Sequence, residues 1–206
     1  MAEQTLAALT VQEAAETRRS IRRYTHDPVP REDLEEILRL VGLAPSAWNL
    51  QPWRLVVVQD PELKQKLSEA AHGQRQVSSA PVVLVLYSDM RDALANLDEV
   101  VRPGAPAERR ERTIQGIRAA FASKSEAERE AWGAGQSYIA LGYLLLLARS
   151  TGYDTSAMLG FELEKVKRLL GLPTHVAIPA IVAMGVTDEE GLPHHRQPVE
   201  RIATFR

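Results

Sequence analysis

The chain has 206 residues, 45% of them hydrophobic and 25% charged, and its formal net charge at pH 7 is −2. This is an ordinary globular composition, and the length suits one domain, residues 1–206, with a sizeable core. No overall basic field exists to attract nucleic acid. Because the chain has no cysteine, disulfides and thiolate nucleophiles are excluded, and redox chemistry would need a borrowed cofactor.

The N-terminal sequence MAEQTLAALTVQEAAE lacks the basic start and the apolar run of a signal peptide. No uncharged apolar stretch reaches the length of about 18 residues that indicates a membrane-spanning helix. We therefore expect a cytoplasmic protein with no membrane and no nucleic-acid partner.

The first two predicted elements are helices. Thr10 and Glu13 form a capping-box pattern, which predicts a helix from Val11 to about Arg19. A second helix is expected to begin at Pro30 and to stop near Pro45. Its apolar positions recur at i, i+3, i+4 and i+7, as in a helix with one face in the core. These positions are Leu34, Ile37, Leu38 and Val41.

Three apolar runs further along the chain read as buried strands, at residues 53–59, 81–87 and 175–186. Asp60 and Pro61 are expected to cap the helix that follows the first of them. Another amphipathic helix is predicted from Phe161 to Leu170, ended by a glycine.

Residues 90–130 differ from the rest, because arginine and glutamate are frequent and apolar positions are scattered. We expect a variable, solvated helical excursion there. The segment from Glu130 to Ser150 is densely apolar and predicts a long buried helix. Three glycines interrupt its side-chain wall and permit close approach of a backbone or a ligand. They are Gly133, Gly135 and Gly142.

Four arginines are concentrated within six residues at the end of the first helix. If the chain is extended after Arg19, Ser20 and Arg22 lie on one face, where a hydroxyl and a guanidinium can hold one phosphate. Basic residues are also common in the last turn of solvated helices, where they favour the helix dipole. The remaining arginines of the cluster are Arg18 and Arg23.

The segment APSAWNLQPW combines two prolines that forbid a continuing helix with polar groups between two aromatic rings. Trp48 and Trp53 could serve as stacking plates for a flat polar ring. The same residues could instead satisfy the backbone of a structural loop, and Trp53 could belong to the core. The polar residues are Ser46, Asn49 and Gln51.

Sites of other classes have little support. The five histidines form no i, i+4 pair and no HExxH element, so no metal site is expected. The sequence also lacks the GxSxG, GxGxxG and Walker patterns of nucleophile elbows and nucleotide-binding loops.

Together, the arginine turn and the Pro-Ser-x-x-Asn-x-Gln-Pro-Trp segment resemble the start of the FMN-dependent nitroreductase family. Two later segments, LGFE at 159–162 and LPHHRQP at 192–198, extend the resemblance to most of the chain. It implies an α+β fold of three layers, with a mixed central β-sheet flanked by helices. It also implies an intertwined homodimer with two FMN molecules at the subunit interface. The helix at 130–150 would then form the centre of that interface.

The resemblance also implies which residues bind the cofactor. Leu159 stands where many relatives carry a carboxylate, and Gln76 and His194 stand where lysine is common. The implied FMN-binding residues are Arg18, Arg19, Ser20, Arg22, Pro45, Ser46, Asn49, Gln76, Leu159, Gly160, His194 and Arg196.

The implied activity is hydride transfer from NADH or NADPH, through flavin N5, to a nitroaromatic, a quinone or a related small-molecule acceptor. No catalytic side chain is expected, because the cofactor carries the chemistry. Two alternatives stay open. One is another FMN enzyme on the same fold, such as a dehalogenase, an enone reductase or a flavin-fragmenting enzyme. The other is a non-catalytic flavin-binding module.

Overall fold

A computed structural model of the chain describes residues 8–206. The start of the segment used above to argue against a signal peptide therefore lies outside the described residues. The helices are α1 (Val11–Thr17), α2 (Arg31–Val41), α3 (Pro61–Ala70), α4 (Arg75–Ser79), α5 (Met90–Ala95), α6 (Leu97–Val100), α7 (Ala107–Ala122), α8 (Glu126–Ser150), α9 (Leu163–Leu170) and α10 (Val199–Ile202). The strands are β1 (Trp53–Val58), β2 (Val82–Ser88), β3 (Asp154–Met158) and β4 (Ala177–Gly185).

In the described residues the strands form one sheet in the order β1-β2-β4-β3, and every neighbouring pair is antiparallel. A single parallel bridge joins Ser20 to Thr155 at the β3 edge. The α+β class is confirmed. The expected mixture of strand directions is limited to that one bridge. Each connection between successive strands contains at least one helix, and the strands that it joins lie antiparallel to their neighbours in the sheet.

The sheet is buried on both faces, as the continuous apolar runs of β2 and β4 predict. Leu84, Leu86 and Val182 face one core, where α2 and α8 pack. Val83 and Val85 face the other core, where α3, α4 and α9 pack. This alternation with a period of two produces the three layers of the fold.

Local signals placed the early helices well. Thr10 and Glu13 form the predicted capping box, although α1 ends at Thr17 rather than at Arg19. Pro30 is the N-cap of α2 rather than its first helical residue. Asp60 accepts a hydrogen bond from the Leu63 N–H and caps α3, as expected.

The excursion at 90–130 is helical, but it is not merely solvated. It contains a third apolar cluster, which corrects the expectation that this segment lacks a core. The cluster consists of Leu50, Met90, Leu97, Ile117 and Phe121, with Trp132 and others packed against it.

The excursion is attached closely to α8 at Gly133. A Cβ atom added to this glycine would lie 2.3 Å from Ser88 Oγ and 2.5 Å from Met90 Cγ. Only a glycine permits such an approach. Gly135 and Gly142, by contrast, face open space.

Helix α8 has the length and composition of a membrane-spanning helix. Its buried residues, including Ala140, Leu141 and Leu144, nevertheless pack on the sheet as in the core helix of a globular domain. The other side of α8 exposes Tyr138 and Tyr143.

Candidate functional site

The arginine turn is attached to the edge of the sheet. Arg18 ends α1 in an extended conformation, and the chain then runs beside β3. The Ile21 N–H donates to the Thr155 carbonyl at 3.1 Å, next to the Ser20–Thr155 bridge. Ser20 itself is exposed, as its predicted role requires.

The C-terminal segment returns to this turn. A Cβ atom on Gly191, which has φ +71°, would lie 2.8 Å from the Arg19 Cβ. This close contact directs the following residues toward Arg18. Burial lowers the pKa of Arg18, and the positive charge of Arg196 lowers it further. The charge of Arg196 therefore lies near enough to act on Arg18, and the binding of one phosphate by both stays a prediction.

Arg18, Arg22 and Arg196 form no salt bridge within residues 8–206. Acidic groups nevertheless lie near the turn: the charge of Asp154 partly offsets the lowering of the Arg18 pKa, and Glu189 accepts a hydrogen bond from the Arg22 N–H at 2.6 Å. In the described residues the Arg196 side chain donates only to the adjacent His195 carbonyl, at 2.9 Å. Arg19 is different, because its Nη1 donates to the Glu16 and Arg18 carbonyls and so caps the end of α1. Several guanidiniums without a salt bridge, close in the chain to an exposed hydroxyl, are suited to bind a phosphate.

The far end of β3 leads to an exposed main-chain segment at Gly160. Its carbonyl accepts a hydrogen bond from Gln74 Nε2 at 2.7 Å. Its N–H has no acceptor among the described residues. A free, exposed backbone amide is suited to a ligand heteroatom. Leu159 beside it is 68% exposed.

Gln76 lies behind this segment rather than on its surface. It is buried, and its Nε2 donates to Gln74 Oε1 at 3.0 Å and lies 3.2 Å from Met158 Sδ. Gln74, which is partly exposed, is the amide that touches Gly160. A direct contact of Gln76 with the cofactor stays a prediction.

His72 is a neighbour of Gly160 that sequence reasoning missed. Its Cδ2 lies 3.9 Å from the place where a Cβ on Gly160 would stand. His72 has φ +57° and is followed by Gly73 with φ +71°. The His-Gly pair is a recognisable turn signal, but nothing in the sequence places it against a residue so distant in the chain.

The loop at residues 45–51 has an unusual backbone. Trp48, Asn49 and Gln51 have φ of 54°, 58° and 43°, in the region that favours glycine. Ser46 Oγ accepts a hydrogen bond from the Gln51 N–H at 2.9 Å, which closes the loop. Pro45 and Asn49 are exposed.

The loop is braced by the excursion and by α8. The Ala47 N–H donates to Gln136 Oε1 at 2.9 Å, and Asn49 Nδ2 donates to the Val100 carbonyl at 3.2 Å. The ring of Trp48 packs against Phe121 and Trp132.

Trp53 does not form a second aromatic plate. It is 7% exposed and belongs to the core, so of the two alternatives the core role is the one observed. As the first residue of β1 its side chain packs in the core shared with α2 and α8. Trp48, at 48% exposed, remains accessible.

The predicted site is divided within one chain. In residues 8–206 no hydrogen bond or salt bridge joins the 45–51 loop to the arginine turn or to Gly160. The turn and Gly160 lie along β3, whereas the loop lies on α6 and α8. His194, like the rest of the tail around Arg196, is exposed.

A separate polar cluster joins the ends of β2, α8 and β4. Asp89, Glu130 and His175 place ligating atoms within 4.8 Å of one another. Glu130 accepts hydrogen bonds from Ser88 Oγ and from the Met90 N–H, and His175 Nε2 lies 3.0 Å from Asp89 Oδ1. These mutual bonds indicate a structural network that anchors the excursion.

Comparison with known proteins agrees with this geometry. The model of the nitroreductase family matches residues 15–186. A Thermus thermophilus protein named NADH dehydrogenase is 57% identical, over 99% of this chain and 100% of its own length. A Bacillus subtilis protein provisionally named NAD(P)H nitroreductase YdgI is 32% identical, over 92% of this chain and 94% of its own. The structure of a provisionally named nitroreductase from Exiguobacterium sibiricum, in complex with FMN, has a TM-score of 0.89 at 28% identity and covers 98% of this chain and 100% of its own.

Proposed function

Because this chain belongs to the nitroreductase family, we propose that it is an FMN-dependent oxidoreductase that passes a hydride from NADH or NADPH to a small acceptor. Nitroaromatic compounds, quinones and related molecules are the proposed acceptors. The proposal includes FMN because the Exiguobacterium structure contains it, and NAD(P)H because the names of the relatives contain it.

The observation that carries the proposal is a group of arginines near Ser20 that form no salt bridge. Arg18 and Arg22 flank the exposed Ser20 in the chain and the charge of Arg196 acts on Arg18, while no carboxylate of the described residues forms a salt bridge with any of these three arginines. Such a group fits the terminal phosphate of FMN. FMN is favoured over FAD because the sequence lacks the glycine-rich loop that binds a dinucleotide pyrophosphate.

Strand β3 links the proposed phosphate site to a proposed contact with the flavin ring. It runs from the arginine turn to Gly160, whose free N–H can donate to a heteroatom at the edge of the ring. When bound, FMN would accept and donate the hydride. The residues of the chain would hold the phosphate, orient the ring and exclude water.

The second half-site would come from another copy of the chain. The 45–51 loop lies on α8, which exposes Tyr138, Ile139 and Tyr143 and has open space at two glycines. An apolar helix face of this kind favours burial against a partner. A symmetric dimer would bring the loop of one subunit to the β3 end of the other.

Leu159 supports a second candidate, a flavin-binding module without turnover. An apolar, exposed residue in a position where relatives carry a carboxylate removes one group that could orient a nicotinamide. The enzyme is favoured because relatives named for NAD(P)H-dependent reactions match nearly the whole chain. A cytoplasmic location stays a prediction.

Anaerobic mixing of the FMN-loaded protein with NADH or NADPH tests the proposal. Bleaching of the visible flavin absorbance, followed by its return on addition of a quinone or a nitroaromatic compound, is expected. Bound flavin that never bleaches would favour the binding module. Acid release and chromatography should identify FMN, and recovery of FAD or of no flavin would contradict the proposal.

A further inference from the structure

Resting on the proposed function, the geometry points to His72 as the acid that delivers a proton to the acceptor when the hydride arrives. The family resemblance assigns nothing to this residue. The inference rests on where the structure places the imidazole and on the proton that the reaction requires.

His72 lies beside the segment that would face the reactive edge of the ring. Its Cδ2, which is bonded to Nε2, lies 3.9 Å from the place where a Cβ on Gly160 would stand, and the residue is exposed. The imidazole therefore borders the space beside Gly160, where an acceptor would lie, and is open to solvent water.

The turn that carries His72 is fixed. The Gly73 N–H donates to the Ser68 carbonyl at 2.8 Å, and Ser68 Oγ donates to the Gln74 carbonyl at 3.0 Å. These bonds hold His72 in its left-handed conformation, which an L-residue adopts only with strain. Gln74 in turn holds Gly160. The imidazole and the Gly160 segment thus belong to one rigid unit.

The chemistry requires such a proton. Reduction of a quinone by NAD(P)H consumes one hydride and one proton: the nicotinamide is oxidised, both carbonyl oxygens of the quinone become hydroxyls, and two electrons are transferred. The hydride comes from NAD(P)H through the cofactor. The proton is assigned to His72 Nε2, with water replacing it afterwards. Neither Gln74 nor Leu159 can release a proton.

The charged groups around His72 leave it free for this role. Glu69 on α3 and Arg75 on α4 are its nearest charged neighbours along the chain. Glu162, which precedes α9, interacts with His72 but is held by Lys165 Nζ at 2.6 Å. Arg168 lies on the same helix. Within residues 8–206, His72 forms no salt bridge.

The test compares His72→Asn and His72→Gln with the wild-type protein, and uses His26→Gln as a matched control at another exposed histidine. Asparagine tolerates a positive φ, so the first variant keeps the turn. The two half-reactions are measured separately by anaerobic rapid mixing from pH 5.5 to 8.5. Reduction by NADH transfers no proton to an acceptor and should be unchanged in every variant.

Reoxidation by a 1,4-naphthoquinone should be slower by about a hundredfold in both His72 variants, the usual contribution of a general acid. In the wild type and in His26→Gln the rate of reoxidation should decline at high pH. In the two His72 variants this decline should be absent.

A second readout does not depend on turnover. Benzoate, a non-reducible anion, is titrated into the oxidised protein, and the perturbation of flavin absorbance is recorded. Benzoate should bind more tightly at low pH to the wild type and to His26→Gln, but not to the His72 variants. Unchanged reoxidation and unchanged benzoate binding in the variants would overturn the inference. A wild type that binds no FMN, or never bleaches, would instead reject the proposed function.

Discussion

Arg18 and Arg196 come from opposite ends of the chain, yet the charge of Arg196 adds to burial in lowering the pKa of Arg18. Two like charges held near each other repel, and more strongly when one of them is partly buried. This repulsion destabilises the folded chain, and a phosphate bound between the two arginines would offset it.

Replacement of Arg18 or Arg196 by alanine should weaken FMN binding by about 1.5 to 3 kcal/mol, the range for a hydrogen bond to a charged group. Fluorescence titration of free FMN gives the affinity, and circular dichroism checks that helix content is kept. Arg39→Ala is the control, because Arg39 is exposed and pairs with Glu36 on α2. Equal affinities in all three variants would show that the arginines are ordinary surface charges.

The active species should be a dimer that buries the exposed face of α8. Ile139→Asp places a charge on that face and should shift the protein from twice the 22.8 kDa chain mass toward the monomer, with loss of FMN. Sedimentation velocity measures the mass. Leu43→Asp, at an exposed apolar residue just after α2, should leave both properties unchanged. A monomeric wild type that retains FMN would contradict a cofactor site shared between two subunits.

Steady-state kinetics should be ping-pong, because one slot over the flavin would serve the nicotinamide and the acceptor in turn. Initial rates at several fixed acceptor concentrations should give parallel double-reciprocal lines. Intersecting lines would mean that both substrates bind together.

Gly133→Ala should destabilise the fold by about 1 to 3 kcal/mol, since the added methyl meets Ser88 and Met90. Gly116→Ala is the matched control in an exposed helical position with open space, and should stabilise α7 by about 0.5 to 1 kcal/mol. Urea unfolding followed by circular dichroism gives both values. Equal effects would mean that the excursion is not packed against α8 at Gly133.

Asp89→Asn should reveal a pH-dependent contribution. Burial by itself would raise the pKa of Asp89, but the hydrogen bonds from His175 and from the Asp92 N–H outweigh it and lower the pKa. A lowered pKa stabilises the fold above the unfolded value of about 3.9, and this stability is lost as the pH falls through the folded value.

Asparagine keeps the cap of α5 and removes only the charge. The variant should therefore be less stable by about 1.5 to 3 kcal/mol at pH 7, with a smaller difference at pH 4. Urea midpoints at the two pH values measure it, and Asp98→Asn at an exposed surface pair is the control. A difference that grows on acidification would contradict the assignment.

The sequence predicted what short-range chemistry determines. The capping box of Thr10 and Glu13 and the doubly buried strands β2 and β4 were read from local patterns. The approach of Arg196 to Arg18 followed from a family resemblance, not from the residues alone.

Contacts between distant segments could not be predicted in this way. The hydrogen bond from Gln74 to Gly160 and the position of His72 depend on how α3 and α4 pack beside β3. For the same reason the sequence could not show that Gln76 is buried and that Gln74 is the amide in contact with Gly160. The core of the excursion was missed because its apolar residues are sparse in sequence and meet only in three dimensions.

The separate core of the excursion also bears on how such a protein can change over evolution. Leu97, Ile117 and Phe121 pack mainly on one another, and the segment is attached to the sheet at a few points such as Glu130 and Gly133. Substitutions within α6 and α7 can therefore accumulate without disturbing β3. The excursion braces the Trp48 loop. Under the proposed function, such substitutions would alter this loop before they alter the strand proposed to bind FMN, so the range of acceptors would change while cofactor binding is kept.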